Sequence, residues 1–99
     1  INVRLTVSVN GVVLTDSSAA EMSFDWPRLL RHAAQNTQLV PGDVIGAGTL
    51  GYGCLLELRT LNKDSNDERY RWLDDADVVE LSAPAFGTLR NVISSSARN

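Results

Sequence analysis

The residues best suited to chemistry lie in a glycine-rich stretch, residues 41–53, which reads PGDVIGAGTLGYG and holds five of the chain's seven glycines. Glycine loses more conformational freedom on folding than any other residue, so this cluster indicates unusual torsions or a backbone that closely approaches another group. The polar groups near its centre are the Thr49 hydroxyl, the Tyr52 phenol and the main-chain amides. Such donors suit a carboxylate or an enolate oxygen, and a tight turn between strands is the alternative interpretation.

Other residues of reactive type do not form a catalytic set. His32 is the one histidine, and it lies beside the apolar stripe of a predicted helix, which favours a packing or surface role. Cys54 lies in an apolar run without a neighbouring base, and no serine stands in a nucleophile elbow. The sequence therefore predicts no catalytic residue in this chain.

Two motif-like patterns are interpreted as accidental. Residues 46–51 match G-x-G-x-x-G, but that motif binds a dinucleotide only where a helix begins at the loop, and the residues that follow predict a strand. Six acidic residues lack the glycine that a calcium loop requires, so they predict a solvated turn and not a metal site; they are Asp64, Asp67, Glu68, Asp74, Asp75 and Asp77.

Composition narrows the class of protein. The chain has 99 residues, 43% of them hydrophobic, which suits one globular domain. A net charge of −3 with scattered basic residues makes nucleic acid an unexpected partner. One cysteine and the lack of any membrane-length apolar run favour a cytoplasmic location. Because the chain begins at Ile1 without a leader pattern, we expect either processing or a piece of a longer polypeptide.

Two elements are predicted before the glycine-rich stretch. Apolar residues alternate over residues 1–9, and Asn10-Gly11 separates this strand from a second one at 12–15, which predicts a β-hairpin. A helix is predicted over residues 26–35, with Asp25 as N-cap and Pro27 in the first turn. Its apolar face comprises Trp26, Leu29, Leu30, Ala33 and Ala34.

Turns and further strands are predicted in the second half. Pro41 and Gly42 predict a turn with proline in its second position, and residues 54–58 predict a mostly buried strand. Residues 62–68 predict a solvated connection, and residues 74–76 a turn. Strands are predicted at residues 78–81 and 86–93, and the polar residues 94–99 predict a frayed tail.

Several blocks, taken together and in order, resemble the C-terminal part of the catalytic domain in the fumarylacetoacetate hydrolase family. The resemblance spans residues 5–92, and its most specific parts are Pro-Gly-Asp, Gly-x-Gly-Thr and a terminal Gly-Thr-Leu-Arg-Asn. The blocks are VNG at 9–11, EMSF at 21–24, PGDVIGAGT at 41–49, CLLEL at 54–58, RWL at 71–73, VVEL at 78–81 and GTLRN at 87–91.

This resemblance implies an α+β, mostly β fold, a mixed β-roll with one short helix that is here only part of the complete fold. It implies hydrolysis of a carbon–carbon bond in a 2-oxo acid such as an acylpyruvate or fumarylacetoacetate. Mg or Mn is implied as the cofactor, with metal ligands and base absent from this chain, which alone is expected to be inactive. Gly48 and Thr49 are implied as substrate-binding residues, and a homodimer is implied.

Alternatives remain open at this point. Sister reactions of the family on 2-oxo acids, namely hydration, decarboxylation and isomerisation, use the same features, and a non-catalytic β-rich binding or assembly module is a different class of answer. Residues 75–77 read Asp-Ala-Asp where the family often repeats Pro-Gly-Asp, which predicts a looser turn, and Ala47 and Leu50 also depart from the common loop. We expect residues 1–93 to form the domain portion and residues 94–99 the tail.

Overall fold

The computed structural model describes residues 3–96, so the first two residues of the predicted first strand and the last three of the predicted tail lie outside it. Four antiparallel strands form one sheet in the order β2-β1-β3-β4. The α+β, mostly β prediction is confirmed, with two α-helices in place of the one predicted. The elements are β1 Arg4–Val9, β2 Val12–Ser18, α1 Trp26–Ala33, α2 Leu55–Leu61, β3 Val78–Ala83 and β4 Gly87–Val92, with short 3₁₀ turns at Ala19–Glu21 and Glu68–Tyr70.

The predicted hairpin is confirmed, and its turn is also joined to β3. Asn10 and Gly11 have φ values of 52° and 80°, the left-handed torsions of a type I′ turn, and Val9 pairs with Val12 across it. The Asn10 side chain accepts a hydrogen bond from the Val78 amide at 2.9 Å, and the Asn10 amide donates to the Val78 carbonyl at 2.8 Å. The hairpin turn therefore holds the start of β3.

A β-bulge in β2 changes which of its side chains face the apolar side of the sheet. Ser8 pairs with Val13 but Val7 pairs with Thr15, so Leu14 is the extra residue. Cross-strand partners share a face, and Val7 also pairs with Leu81. The bulge thus places Thr15 on the apolar face, where it is only 7% exposed.

The opposite face of the sheet is polar. Arg4 and Asp16 form an ion pair there with 2.6 Å contacts, and Arg90 lies 3.6 Å from Glu80. These groups remain substantially exposed to solvent. Exposed pairs of this kind contribute little to stability, so packing on the apolar face decides the fold.

Helix α1 has the predicted start. The Asp25 side chain accepts a hydrogen bond from the Arg28 amide at 3.0 Å, and Pro27 lies in the first turn. The helix ends at Ala33, two residues earlier than predicted, and Asn36 takes a left-handed φ of 62° just beyond it. Its apolar stripe is only partly covered, since Leu30 is 42% exposed.

The strand predicted at residues 54–58 is wrong, because this segment is the beginning of α2. Leucine, glutamate and arginine favour helices, and a short apolar run does not by itself distinguish a buried strand from a helix. Leu58 is the residue of α2 that is buried, at 6% exposure.

The prediction that a strand follows the G-x-G-x-x-G match at residues 46–51 is therefore also wrong, because α2 follows it. The helix begins only at Leu55, and the element directly before the loop is α1, not a strand. Without a strand leading into the loop the βαβ arrangement is missing, so the motif remains accidental for a different reason.

The turn predicted at residues 74–76 is confirmed. It extends to Asp77, is closed by hydrogen bonds, and has this last residue buried. The Asp77 amide donates to the Asp74 carbonyl at 3.2 Å, and Ala76 has a φ of 68° where glycine is common. Asp77 is 5% exposed, so the solvated-turn prediction is wrong for this residue. None of the helices within residues 3–96 has the length and apolar character needed to cross a bilayer.

Candidate functional site

The centre of the glycine-rich loop has no regular structure and presents its backbone openly. Gly48 has a φ of 84°, and a Cβ at this position would meet nothing within 4 Å. Among the hydrogen bonds joining residues 3–96, none uses the amides of Gly46, Ala47, Gly48 or Thr49. These amides and the exposed Thr49 hydroxyl are therefore available as donors.

Before the loop, a type II turn fixes the direction of the chain. Pro41 occupies the second position, and Gly42 has the φ of 97° that the third position requires. The Asp43 amide donates to the Val40 carbonyl at 3.1 Å, while the Asp43 carboxylate accepts from the Val40 amide at 2.9 Å. The predicted turn is confirmed, and it directs the chain into the loop.

After the loop, a second turn joins the chain to both the sheet and α2. The Gly53 amide donates to the Leu50 carbonyl at 2.8 Å, and a Cβ on Gly53 would lie 2.8 Å from the same oxygen. The Tyr52 amide donates to Glu57 Oε1 at 3.1 Å, and the Thr15 hydroxyl donates to the Tyr52 carbonyl. Glycine is thus required at residue 53, and this turn, unlike the one before the loop, is joined to other elements.

Thr49 lies where two cavities meet. One, of about 370 Å³, is bounded on its far side by Phe24 and Leu29. The other, of about 250 Å³, separates the loop from the apolar face of the sheet near Val7 and Leu81. No ionisable side chain lines either cavity within the described part of the chain. Donors on neutral walls can hold an anionic oxygen without competition from a fixed carboxylate.

A third cavity, of about 220 Å³, contains arginines but is not an anion site. Arg71 Nη1 and Nη2 contact the two Asp77 carboxylate oxygens at 2.7 and 2.8 Å, and Arg69 pairs with Asp67 at 2.7 Å. Both guanidinium groups therefore already have an anionic partner.

Asp77 is the most strongly perturbed carboxyl in the described residues. The bidentate Arg71 contact, the Asp74 amide at 2.7 Å and the Asn10 side chain at 2.9 Å hold the pKa of the Asp77 carboxyl well below its usual range. Hydrogen bonds to the charged form are the main cause, since each favours the carboxylate. Its role is to join two turns, not to bind a ligand.

The remaining sequence-predicted residues lie apart from one another. His32 is exposed on α1, and Cys54 is half-buried as the N-cap of α2. Within residues 3–96 no three histidine, cysteine or carboxylate side chains come together as a metal cluster. Divalent cations such as Mg²⁺ take several oxygen ligands, so the donor set of the described chain does not fit one, and we assign no step to a metal here.

Two residues that contact the loop were missed by sequence reasoning. The sequence predicts a strand at Glu57 and the end of a hairpin strand at Thr15, and neither prediction brings the side chain to the loop. The helical signal at residues 55–61 was available in the sequence. The bulge that brings Thr15 to the loop leaves no local signal, because it depends on pairing between strands.

Together, the antiparallel sheet and its two short helices place the chain in the α+β class, and the loop of exposed donors is its candidate site. A family model described as fumarylacetoacetate (FAA) hydrolase C-terminal matches residues 1–94, and the chain therefore belongs to this family. The predicted resemblance is confirmed. No curated protein and no solved structure matches the chain significantly.

Proposed function

We propose that this chain contributes the substrate-binding loop of a metal-dependent enzyme that hydrolyses a carbon–carbon bond in a 2-oxo acid. In this proposal residues 1–93 are the C-terminal portion of the catalytic domain and residues 94–99 are a polar tail. The rest of that domain supplies the Mg or Mn ligands and the base. The enzyme is proposed to be a cytoplasmic homodimer.

The observation that supports the proposal is the exposed Thr49 hydroxyl beside unbonded amides, followed by a turn that is joined to β2 and α2. Gly48 has no side chain to block the approach of a ligand, and its φ of 84° turns the backbone at this point. Membership of the family makes a 2-oxo acid the class of ligand to test first.

In the proposed mechanism this chain binds and orients the substrate. The Thr49 hydroxyl and amide donate hydrogen bonds to a carboxylate or oxo oxygen of the 2-oxo acid. Donors that are fixed before the reaction stabilise negative charge as it develops on that oxygen. Because no ionisable side chain of the described residues lines the two cavities, we assign no proton transfer to them.

The test compares Thr49→Ala with the wild type in the full-length protein, using acylpyruvates and oxaloacetate with and without magnesium. Loss of the hydroxyl should weaken kcat/KM by the equivalent of about 1–3 kcal/mol, with metal content unchanged. Thr49→Ser should restore most of the activity. Thr37→Ala, at an exposed threonine outside the loop, is the matched control and should behave as wild type.

Other outcomes decide between the alternatives. Unaltered kinetics of Thr49→Ala would refute the assigned role. Products of hydration, decarboxylation or isomerisation would assign a sister reaction to the same loop. Absence of turnover on every 2-oxo acid, together with no Glu-x-Glu pair upstream of Ile1, would favour a binding or assembly module.

A further inference from the structure

The Tyr52 peptide is held from both sides by groups that are distant in sequence. Its carbonyl accepts from the Thr15 hydroxyl on β2, and its amide donates to the Glu57 carboxylate on α2. The Gly53 amide closes the same turn onto the Leu50 carbonyl. Residues 50–53, which directly follow Thr49, thus form a turn that is bonded to both the sheet and α2.

Tyr52 adopts a conformation that it would not hold without such contacts. Its φ is 63°, a left-handed value that is costly for a bulky residue. Strained residues of this kind persist only where the surrounding structure over-determines them, and they are frequent at ligand-binding loops. The Thr15 contact is one of the bonds that keep Tyr52 in this state.

The β-bulge in β2 brings Thr15 to its contact with the Tyr52 carbonyl. The extra residue, Leu14, shifts the pairing so that Thr15 lies opposite Val7 on the apolar face, under the loop. Thr15 is only 7% exposed, and losing its hydroxyl would leave the Tyr52 carbonyl without this donor. On the other side of Thr49, the amides of residues 46–49 have no bond within the described chain.

We propose that Thr15 is a positioning residue, which sets the location of Thr49 through the Tyr52 peptide and thereby tunes substrate binding. This inference rests on the proposed function of Thr49, which it extends to a buried residue 34 positions away in sequence. Thr15 does not need to touch the substrate. Its hydroxyl fixes the end of the loop from which Thr49 extends.

The experiment uses Thr15→Val, Thr15→Ser and the double variant Thr15→Val/Thr49→Ala in the full-length protein. Thr15→Val should lower kcat/KM about 10- to 100-fold, the scale of a small misplacement of a binding group, and Thr15→Ser should restore it. In the double variant the two fold-losses in kcat/KM should not multiply, because Thr15 acts through Thr49. A double variant whose loss equals the product of the two single losses would overturn the proposal.

A second measurement separates this proposal from the function of the loop. Amide hydrogen exchange of the peptide covering residues 46–54 should accelerate about tenfold in Thr15→Val. The control is Thr60→Val, which also removes a hydroxyl-to-carbonyl bond, here to Leu56 at 2.8 Å, and should leave this exchange unchanged. Unchanged exchange in Thr15→Val refutes the positioning role even if Thr49 binds substrate. Faster exchange with no effect of Thr49→Ala on turnover refutes the function instead.

Discussion

Two turns of this protein have the same local design and different surroundings. Val40–Asp43 and Asp74–Asp77 are both type II turns that end in aspartate, and in each the carboxylate accepts from the amide of the first residue, at 2.9 and 2.7 Å. Asp43 is exposed, whereas Asp77 is 5% exposed and contacts Arg71 and Asn10. The first turn is therefore self-contained, and the second is part of the sheet.

The difference shows how one motif serves two purposes. The first turn only directs the chain into the glycine-rich loop, so a local hydrogen bond is enough. The second turn has to align β3 with the hairpin, and its aspartate joins them by bonds that span 67 positions of sequence. Aspartate thus closes a local turn in one place and joins distant elements of the fold in the other.

The largest expected effect is that of Asp77→Asn. This change removes the charge that Arg71 pairs with and places an NH₂ group where a buried carboxylate oxygen now accepts hydrogen bonds, so the bonds that join the two turns are lost. We expect the largest decrease in melting temperature of any single change in either turn. The matched variant Asp43→Asn keeps an acceptor oxygen for Val40 and should change the free energy of unfolding by less than about 0.5 kcal/mol. Equal effects would show that the two turns are equivalent.

Acid should reduce the difference in the free energy of unfolding between the wild type and Asp77→Asn. The pKa of Asp77 is lower in the folded protein than the value of about 3.9 for an unfolded aspartate. Its contribution is therefore complete above about pH 5 and is lost as the pH falls below about 4 towards the folded pKa. Chemical denaturation at a series of pH values measures this directly. A difference that persists undiminished at about pH 2 would contradict the assignment.

Local patterns in the sequence account for the hairpin, the first helix and both turns. Asn10-Gly11, Asp25 and Pro41-Gly42 each act on adjacent backbone, so their effects are visible without knowing the fold. The burial of Asp77 is different, because it depends on Asn10 and Arg71 arriving from other elements. No local pattern distinguishes Asp77 from its exposed counterpart Asp43.

The second-largest effect on stability is expected at the third position of each turn. Gly42 has a φ of 97°, so Gly42→Ala forces an L side chain into a left-handed region and should destabilise by about 1–2 kcal/mol. Ala76 already bears that strain at a φ of 68°. Ala76→Gly relieves it but also frees the unfolded chain, and the net change should lie between zero and about 1 kcal/mol in favour of folding. Thermal unfolding of both variants gives the signs, and the same sign for both would refute the shared geometry.

The candidate site was only partly predictable for a related reason. The glycines and Thr49 could be recognised because they are contiguous in sequence. Thr15 could not, since its contact depends on a bulge, whereas the helical propensity of residues 55–61 was enough to place Glu57 on a helix. A one-residue change in strand pairing moves a side chain to the other face of a sheet, and neither propensity nor motif spacing records that.

Pro41→Ala is expected to destabilise the protein less than Gly42→Ala does. Proline fixes φ at the second position before folding, so alanine should cost about 0.4–1 kcal/mol through the greater freedom of the unfolded chain, while the folded turn keeps its bond from Asp43 to Val40. The second turn manages with Asp75 at this position, because its side chain accepts from the Ser95 amide at 2.7 Å. Asp75→Ala is therefore the paired variant, and it loses a folded-state bond instead of unfolded-state rigidity. If Pro41→Ala instead lowered stability as much as Gly42→Ala does, the first turn would have tertiary partners, and its description as self-contained would be wrong.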